Sequence, residues 1–172
     1  MFVKPLYILS FLFLFFSCKK EQEENTEAKE GQEKNQVFTE QDVAKLKYIE
    51  YALDPKTEET VTDWAEFMQI QDLIATIKKG DISYFKENEE AILLLIKELK
   101  VNVPESLNSA SITARLLVLE TKILKLESLA NLLTTTKAEL LEHIREFFVA
   151  HYTLVFQMNK KVEFDDRNIE RP

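Results

Sequence analysis

Residues 112–158 have the sequence ITARLLVLETKILKLESLANLLTTTKAELLEHIREFFVAHYTLVFQM. Apolar side chains recur through this stretch at alternating steps of four and three residues, the spacing that keeps side chains on one face of a helix. The series consists of Ile112, Leu116, Leu119, Ile123, Leu126, Ala130, Leu133, Leu140, Ile144, Phe147, Leu154 and Met158, with Lys137 and His151 in phase. The stretch therefore predicts helix from end to end.

One uninterrupted helix here would be long for a protein of this size. From about residue 106 to residue 161 it would measure on the order of 80 Å at ~1.5 Å per residue. Three consecutive threonines at 134–136 are poor helix formers, and Thr136 and Glu139 have the spacing of a capping box. Two alternatives remain open: a bend or break at 134–136, which gives five helices, or a continuous helix in a four-helix arrangement.

The regular apolar seam is also compatible with a two-stranded coiled coil. However, the positions that flank the seam are apolar too. They are Leu117, Leu124, Leu141, Phe148 and Val155. Because so broad an apolar face needs more than one neighbouring helix to cover it, we predict a bundle core.

Three further helices are predicted upstream. The first begins at residue 38, where Thr39 and Asp42 can form a capping box, and its apolar side chains are Val43, Leu46, Ile49 and Leu53. The second spans about 58–79 and ends at Gly80, and the third spans about 84–100.

The composition agrees with a helical fold, since two glycines and four prolines in 172 residues leave little material for tight strand turns. We therefore predict an all-α helical bundle of four to five helices with a long C-terminal helix. The bundle domain is predicted over 38–161, and a disordered tail without apolar periodicity over 162–172.

The N-terminal residues have a different character. Lys4 precedes an apolar run at 6–16, about eleven residues long, which suits a secretory signal and is shorter than the ~20 needed to span a bilayer. We predict a signal peptide over 1–17. Ser17 and Cys18 follow, and this stretch resembles the lipobox of bacterial lipoprotein precursors. The resemblance implies cleavage between Ser17 and Cys18 and a diacylglycerol on the Cys18 thiol; the alternative is a plain secretory signal with an unpaired thiol.

Residues 19–36, KKEQEENTEAKEGQEKNQ, contain Ala28 as their only apolar side chain and cannot bury enough surface to fold. We predict a lipidated cysteine and a flexible charged tether over 18–37. The beginning, KKEQEE, resembles the export signal of Bacteroidota surface lipoproteins, and a plain hydrophilic spacer is the alternative. The resemblances imply a lipoprotein of the bacterial outer membrane, held by the lipid on Cys18 and facing the periplasm or the cell surface.

The two histidines, His143 and His151, are about 12 Å apart on one helix, too far to share a metal ion. Glu139 and His143 lie one turn apart and are weak candidates for a surface metal site. The Glu-x-x-His pattern of di-iron bundles is absent because Leu140 stands in the glutamate position. We expect no metal site, a solvated acidic face around His143 and a hydrogen-bonded core position for His151.

The sequence contains no glycine-rich phosphate loop, nucleophile elbow or paired Cys or His cluster, so we expect neither an enzyme nor a cofactor. The net charge of −8 argues against a nucleic-acid partner. Two functions remain. The one we favour from the sequence is a non-catalytic protein-interaction module, such as a subunit, adaptor, inhibitor or chaperone, with an exposed apolar patch and a protein partner of unknown identity. The alternative is a small-ligand or metal-binding bundle, with a closed cavity toward which His151, Gln71 or Lys137 is turned.

Overall fold

The computed structural model describes residues 38–167, where six α-helices and two short 3-10 helices occur and β-strands are absent. The α-helices are α1 (Glu40–Val43), α2 (Pro55–Val61), α3 (Ala65–Lys78), α4 (Glu89–Val101), α5 (Ala110–Asn131) and α6 (Lys137–Asp166). The 3-10 helices are Ser83–Phe85 and Glu105–Leu107. The all-α bundle with a long C-terminal helix is thus confirmed: two short helices are followed by four helices of 13 to 30 residues.

Several predictions concern residues outside this range. The signal peptide over 1–17, cleavage between Ser17 and Cys18, and lipidation of Cys18 all lie outside the described residues. The same holds for the tether over 18–37 and for positions 168–172 of the predicted tail.

The long seam is interrupted at residues 132–136, so the alternative with a break is the correct one. The described residues nevertheless form six α-helices and not five, because the second predicted helix is also split. α5 ends at Asn131, and α6 begins after Thr136, whose hydroxyl accepts a hydrogen bond of 3.2 Å from the Glu139 backbone N–H. The seam is buried on both sides of the break. Leu133 is the exception, with 53% of its surface exposed, because it lies in the turn and not on a helix.

α5 and α6 pack against each other as a hairpin and make the largest helix–helix contact of the described chain. Of the predicted flanking side chains, Phe148 and Val155 are buried, and Leu124 and Leu141 are partly buried against the core. Leu117 is 51% exposed, so its predicted burial was wrong. Bundle packing therefore covers the broad face of α6 more completely than that of α5.

The first predicted helix is much shorter than expected. Its capping box is present, with the Thr39 N–H donating to Asp42 Oδ2 over 2.9 Å, and its apolar residues Phe38 and Val43 are buried. The helix nevertheless ends at Val43, and residues 47–54 are irregular. The helical spacing through Leu53 was misleading because this segment is held by hydrogen bonds to distant helices, described below.

The second and third predicted helices also have different bounds. The second is split into α2 and α3, because the chain leaves the helix at Thr62 and buries Trp64 before α3 starts. The third begins at Glu89 instead of 84, because Glu87 has a positive φ of 53° that a helix cannot contain. The Glu87 N–H donates instead to Asn131 Oδ1 over 3.0 Å.

α6 continues five residues beyond the predicted boundary at 161, so residues 162–166 are helical and not a disordered tail. Lys56 of α2 forms an ion pair of 2.5 Å with Asp166, and Lys161 pairs with Asp165 one turn away on α6. Val162 still packs against the core, and the charged pairs support the helix beyond it.

Gly80, which ends α3 as predicted, has a φ of 87° and lies against the start of α1. A Cβ at this position would be 2.9 Å from the Glu40 backbone nitrogen, and the left-handed φ adds strain. We expect Gly80→Ala to lower the free energy of unfolding by about 1–3 kcal/mol. Denaturant unfolding measures the change, with the exposed neighbour substitution Lys79→Ala as the control. Equal unfolding free energies for the two variants would contradict the prediction.

Candidate functional site

A cleft of about 620 Å³ lies between residues 51–53, α2, α3 and α6. Most of its wall is apolar: Tyr51, Leu53, Val61, Met68, Ile74 and Val155. Its polar side chains include those of Glu58, Thr62, Gln71 and His151. Met68 is 42% exposed and Tyr51 37% exposed, so the cleft opens to solvent. We call it the His151 cleft.

His151 reaches the cleft from the buried seam of α6, where only 2% of its surface is exposed. Its imidazole stacks on Phe67 at a centroid distance of 5.5 Å and meets Tyr152 edge-on at 5.2 Å. The predicted core position is confirmed, but the prediction that it is hydrogen-bonded fails at Nδ1, which has no partner among the described residues. A buried nitrogen without a partner is costly and therefore calls for an explanation.

Burial lowers the pKa of His151 to about 4, and the nearby positive charge of Lys78 acts in the same direction. The imidazole is consequently neutral at physiological pH. It can donate one hydrogen bond and accept another, but it does not supply a positive charge.

A stack of aromatic rings in the core supports the His151 imidazole. Trp64 lies against Phe67 at 5.3 Å with an interplanar angle of 22°, and Phe67 lies against His151 at an angle of 19°. Trp64 and Phe67 are both almost completely buried. The position of His151 is therefore set by the core and not by a flexible loop.

The irregular segment 47–54 forms one side of the cleft and is held by a polar cluster. Lys78 Nζ donates to both Glu50 carboxylate oxygens, over 2.8 and 2.9 Å, and to the Tyr152 hydroxyl over 2.9 Å. The Tyr48 and Tyr152 hydroxyls donate to Glu50 over 2.8 and 3.1 Å. We call these four residues the Lys78 network.

The network perturbs the titration of its members. The hydrogen bond from Lys78 lowers the pKa of Glu50. Burial lowers the pKa of Lys78, but its bonds to Glu50 and Tyr152 outweigh this and raise it above the ordinary value. Burial raises the pKa of Tyr48 to about 12. The network is thus a lysine–carboxylate pair flanked by neutral phenols at physiological pH.

Asn159 of α6 holds the other end of the segment. Its amide nitrogen donates to the Ala52 carbonyl over 2.8 Å, and its amide oxygen accepts from the Asp54 N–H over 3.0 Å. Residues 51–53 are therefore fixed between two attachments, which explains how a wall without regular secondary structure keeps its shape.

A double-mutant cycle tests the main attachment. The Lys78 and Glu50 side chains are 34% and 53% exposed, so solvent screens the pair, but Lys78 donates to three oxygens, two of Glu50 and one of Tyr152. We expect Lys78→Met and Glu50→Gln to show a coupling energy on the order of 1 kcal/mol in denaturant unfolding.

The matched control is the pair Lys56–Asp166, whose side chains are 69% and 48% exposed. We expect a coupling near zero for Lys56→Met with Asp166→Asn, because an exposed isolated pair gains little. Equal couplings in the two cycles would mean that the Lys78 network is an ordinary surface ion pair.

The structure brings together two of the three residues that the small-ligand alternative placed at a cavity. His151 and Gln71 both line the cleft, although it is open and not closed as expected. Lys137 lies elsewhere and forms an ion pair of 2.6 Å with Asp42, which joins the start of α6 to α1.

The weak metal candidates Glu139 and His143 both lie on α6, one turn apart. His143 Nδ1 lies 3.0 Å from Glu146 Oε2, and the same carboxylate oxygen accepts from Lys122 over 3.0 Å. The Glu139 backbone N–H donates to the Thr136 hydroxyl, which caps the start of α6. Within residues 38–167, no three His, Cys, Asp or Glu side chains lie close enough to hold a metal ion.

Sequence reasoning missed the Lys78 network. Tyr48 and Glu50 lie in a stretch whose apolar spacing predicts a helix, and Lys78 resembles any lysine near a helix C-terminus. The one available signal was the aromatic pair Tyr48 and Tyr51 beside Glu50. This pattern does not predict that Lys78 is the partner of Glu50.

Fold and site together define an all-α bundle with an open, mainly apolar cleft that contains a buried neutral histidine. No helix of the described range 38–167 has both the length and the hydropathy needed to cross a membrane. Comparison with models of known protein families, with curated proteins and with solved structures found no match to this chain.

Proposed function

We propose that this protein is a lipoprotein of a bacterial cell envelope, anchored in the outer membrane through a lipid on Cys18, and that its helical domain binds a small ligand in the His151 cleft. The observation that carries the ligand-binding part is the cleft itself. Its volume of about 620 Å³ lies in the range of small-molecule sites. Apolar walls with a few inward polar groups are also typical of such sites.

The lining favours binding over catalysis. A catalytic histidine usually needs a third group that orients its ring from the nitrogen opposite the reacting one. The Nδ1 of His151 has no such partner among the described residues, and its ring is held by stacking on Phe67 instead. We therefore place His151 and Gln71 in ligand binding and assign no catalytic residue.

The anchor is tested by mass spectrometry of the N-terminal peptide of the native protein, isolated from envelope membranes. We expect an acylated Cys18 as the first residue, and loss of the membrane fraction in Cys18→Ala. An unmodified Cys18 in a chain that still begins at residue 1 would contradict the lipoprotein proposal.

The binding site is tested by native mass spectrometry of the full chain for small molecules that copurify. The blocking variant is Met68→Trp, because Met68 lines the cleft and is exposed enough to accept a larger side chain. Its control is Leu117→Trp on α5, where the side chain is 51% exposed and away from the cleft lining. We expect a bound mass that is lost only in Met68→Trp; retention in that variant would contradict the site.

A protein-interaction module is the second candidate, and the rim of the cleft favours it. Phe156 is 38% exposed and packs on Tyr51 at 4.8 Å, so apolar surface continues from the cleft onto α6. A photo-cross-linking amino acid at position 68, with one at position 117 as the control, separates the two candidates. A single protein captured from position 68 alone, and lost in Cys18→Ala, would favour the interaction module.

A further inference from the structure

The charges around the His151 cleft restrict what it can bind. Among residues 38–167, its lining includes neither lysine nor arginine, and the one carboxylate is that of the exposed Glu58. An anionic ligand would lose its hydration without gaining a cation, which is unfavourable when a charge is buried. Glu58 would add repulsion.

A cationic ligand fits no better. Glu58 is solvated, and its attraction is therefore weak. Lys78 lies outside the lining and pairs with Glu50 over 2.8 Å, so the two charges largely cancel and favour neither an anion nor a cation in the cleft.

The deep part of the cleft nevertheless has hydrogen-bonding capacity. His151 and Gln71 both line the cleft, and Gln71 is partly exposed there. The unpartnered Nδ1 of His151 is itself buried, so a hydrogen bond between the ring and a ligand would involve Nε2. An imidazole and an amide can each donate and accept. A purely apolar ligand would leave these groups without partners, which is unfavourable for buried polar groups.

We infer that the His151 cleft selects a neutral, largely apolar molecule that carries one hydroxyl, carbonyl or amide group, which hydrogen-bonds with His151 and Gln71. This inference rests on the proposed function and names its ligand class. The apolar body of the molecule contacts the wall formed by Leu53, Ile74 and Val155.

The test uses three probes with one apolar body and different charges: cyclohexanol, cyclohexanecarboxylate and cyclohexylammonium. The full chain is labelled with ¹⁵N-histidine, and its two imidazoles, His143 and His151, are followed by NMR at neutral pH. We expect a saturable shift of the His151 signals with cyclohexanol, at about tenfold lower concentration than with either charged probe. The His143 signals should not shift and serve as the internal control.

Matched glutamine variants test the polar contact. Gln71 lines the cleft, whereas Gln69 lies two residues away on α3 and hydrogen-bonds with Tyr84 over 3.1 Å. We expect Gln71→Leu to weaken cyclohexanol binding severalfold and Gln69→Leu to leave it unchanged. Equal binding by both variants would overturn the role of Gln71.

The outcomes separate the inference from the proposed function. If none of the three probes shifts the His151 signals, the cleft is not a binding site and the ligand-binding part of the proposed function fails with it. If a charged probe binds more tightly than cyclohexanol, the binding site remains and the inferred ligand class is wrong.

Discussion

Replacing Phe67 by alanine should lower the free energy of unfolding by about 3–5 kcal/mol, the largest effect expected of any substitution around the cleft. Phe67 has no exposed surface and lies between two rings, Trp64 at 5.3 Å and His151 at 5.5 Å. The substitution removes buried apolar area, leaves a cavity and deletes both ring contacts. Denaturant unfolding at neutral pH measures the loss.

Met68→Ala is the matched control because Met68 is the next residue on the same helix and is 42% exposed. We expect a loss of about 0.5 kcal/mol for this variant. If Phe67→Ala does not fold, Phe67→Leu keeps most of the apolar volume and should cost about 1–2 kcal/mol. Similar losses for Phe67→Leu and Met68→Ala would contradict the supporting role of the ring stack.

Acidification should destabilise the protein through His151 before its carboxylates titrate. The pKa of His151 is lowered from 6.5 to about 4, so between these values the unfolded chain binds a proton that the folded protein does not. Stability therefore falls as the pH falls through this window. A shift of this size corresponds to a loss on the order of 3 kcal/mol.

Protonation of the carboxylates also destabilises the protein on acidification, but mainly at lower pH. The hydrogen bond from Lys137 lowers the pKa of Asp42 to about 2 from 3.8, and Glu50 also titrates below its ordinary 4.5. Their stabilisation is complete above the unfolded values and is lost as the pH falls toward the folded ones. The loss of stability in the upper part of the pH range between 6.5 and about 4 is therefore due mainly to His151.

His151→Phe tests this assignment because it keeps a ring against Phe67 and removes the titrating group. We expect its unfolding free energy to change much less than that of the wild type between neutral pH and about pH 5. His143→Gln, which removes the other histidine of the chain, should keep the wild-type pH dependence. An unchanged acid dependence in His151→Phe would contradict the assignment.

Local sequence signals predicted those parts of the fold that depend on local interactions. The capping boxes and the glycine stop work within a single turn of chain, so Thr39, Gly80 and Thr136 are used as predicted. The sequence did not decide whether the helix breaks near residue 134, because favourable packing can compensate for poor helix formers. Here the turn allows α6 to fold back on α5.

Periodicity failed where distant groups compete with the helix. Residues 47–54 have helical spacing, yet Lys78, Tyr152 and Asn159 bond to this segment from more than 25 positions away. Such pairings are not encoded in the segment itself. The candidate site was predictable only in part: the small-ligand alternative named His151 and Gln71, which both line the cleft, but it also named Lys137, which lies elsewhere, and it did not include the Lys78 network.

The sequence by itself determined an all-α bundle with its longest apolar seam in the C-terminal third, because side-chain spacing and caps act within each helix. It also predicts a lipoprotein signal, because that resemblance rests on the N-terminal residues alone. Only the tertiary structure decided that residues 47–54 are irregular and that His151 borders a cleft. Both depend on hydrogen bonds and ring contacts between segments far apart in the chain. The spacing of side chains within one segment does not reveal the energy of such contacts.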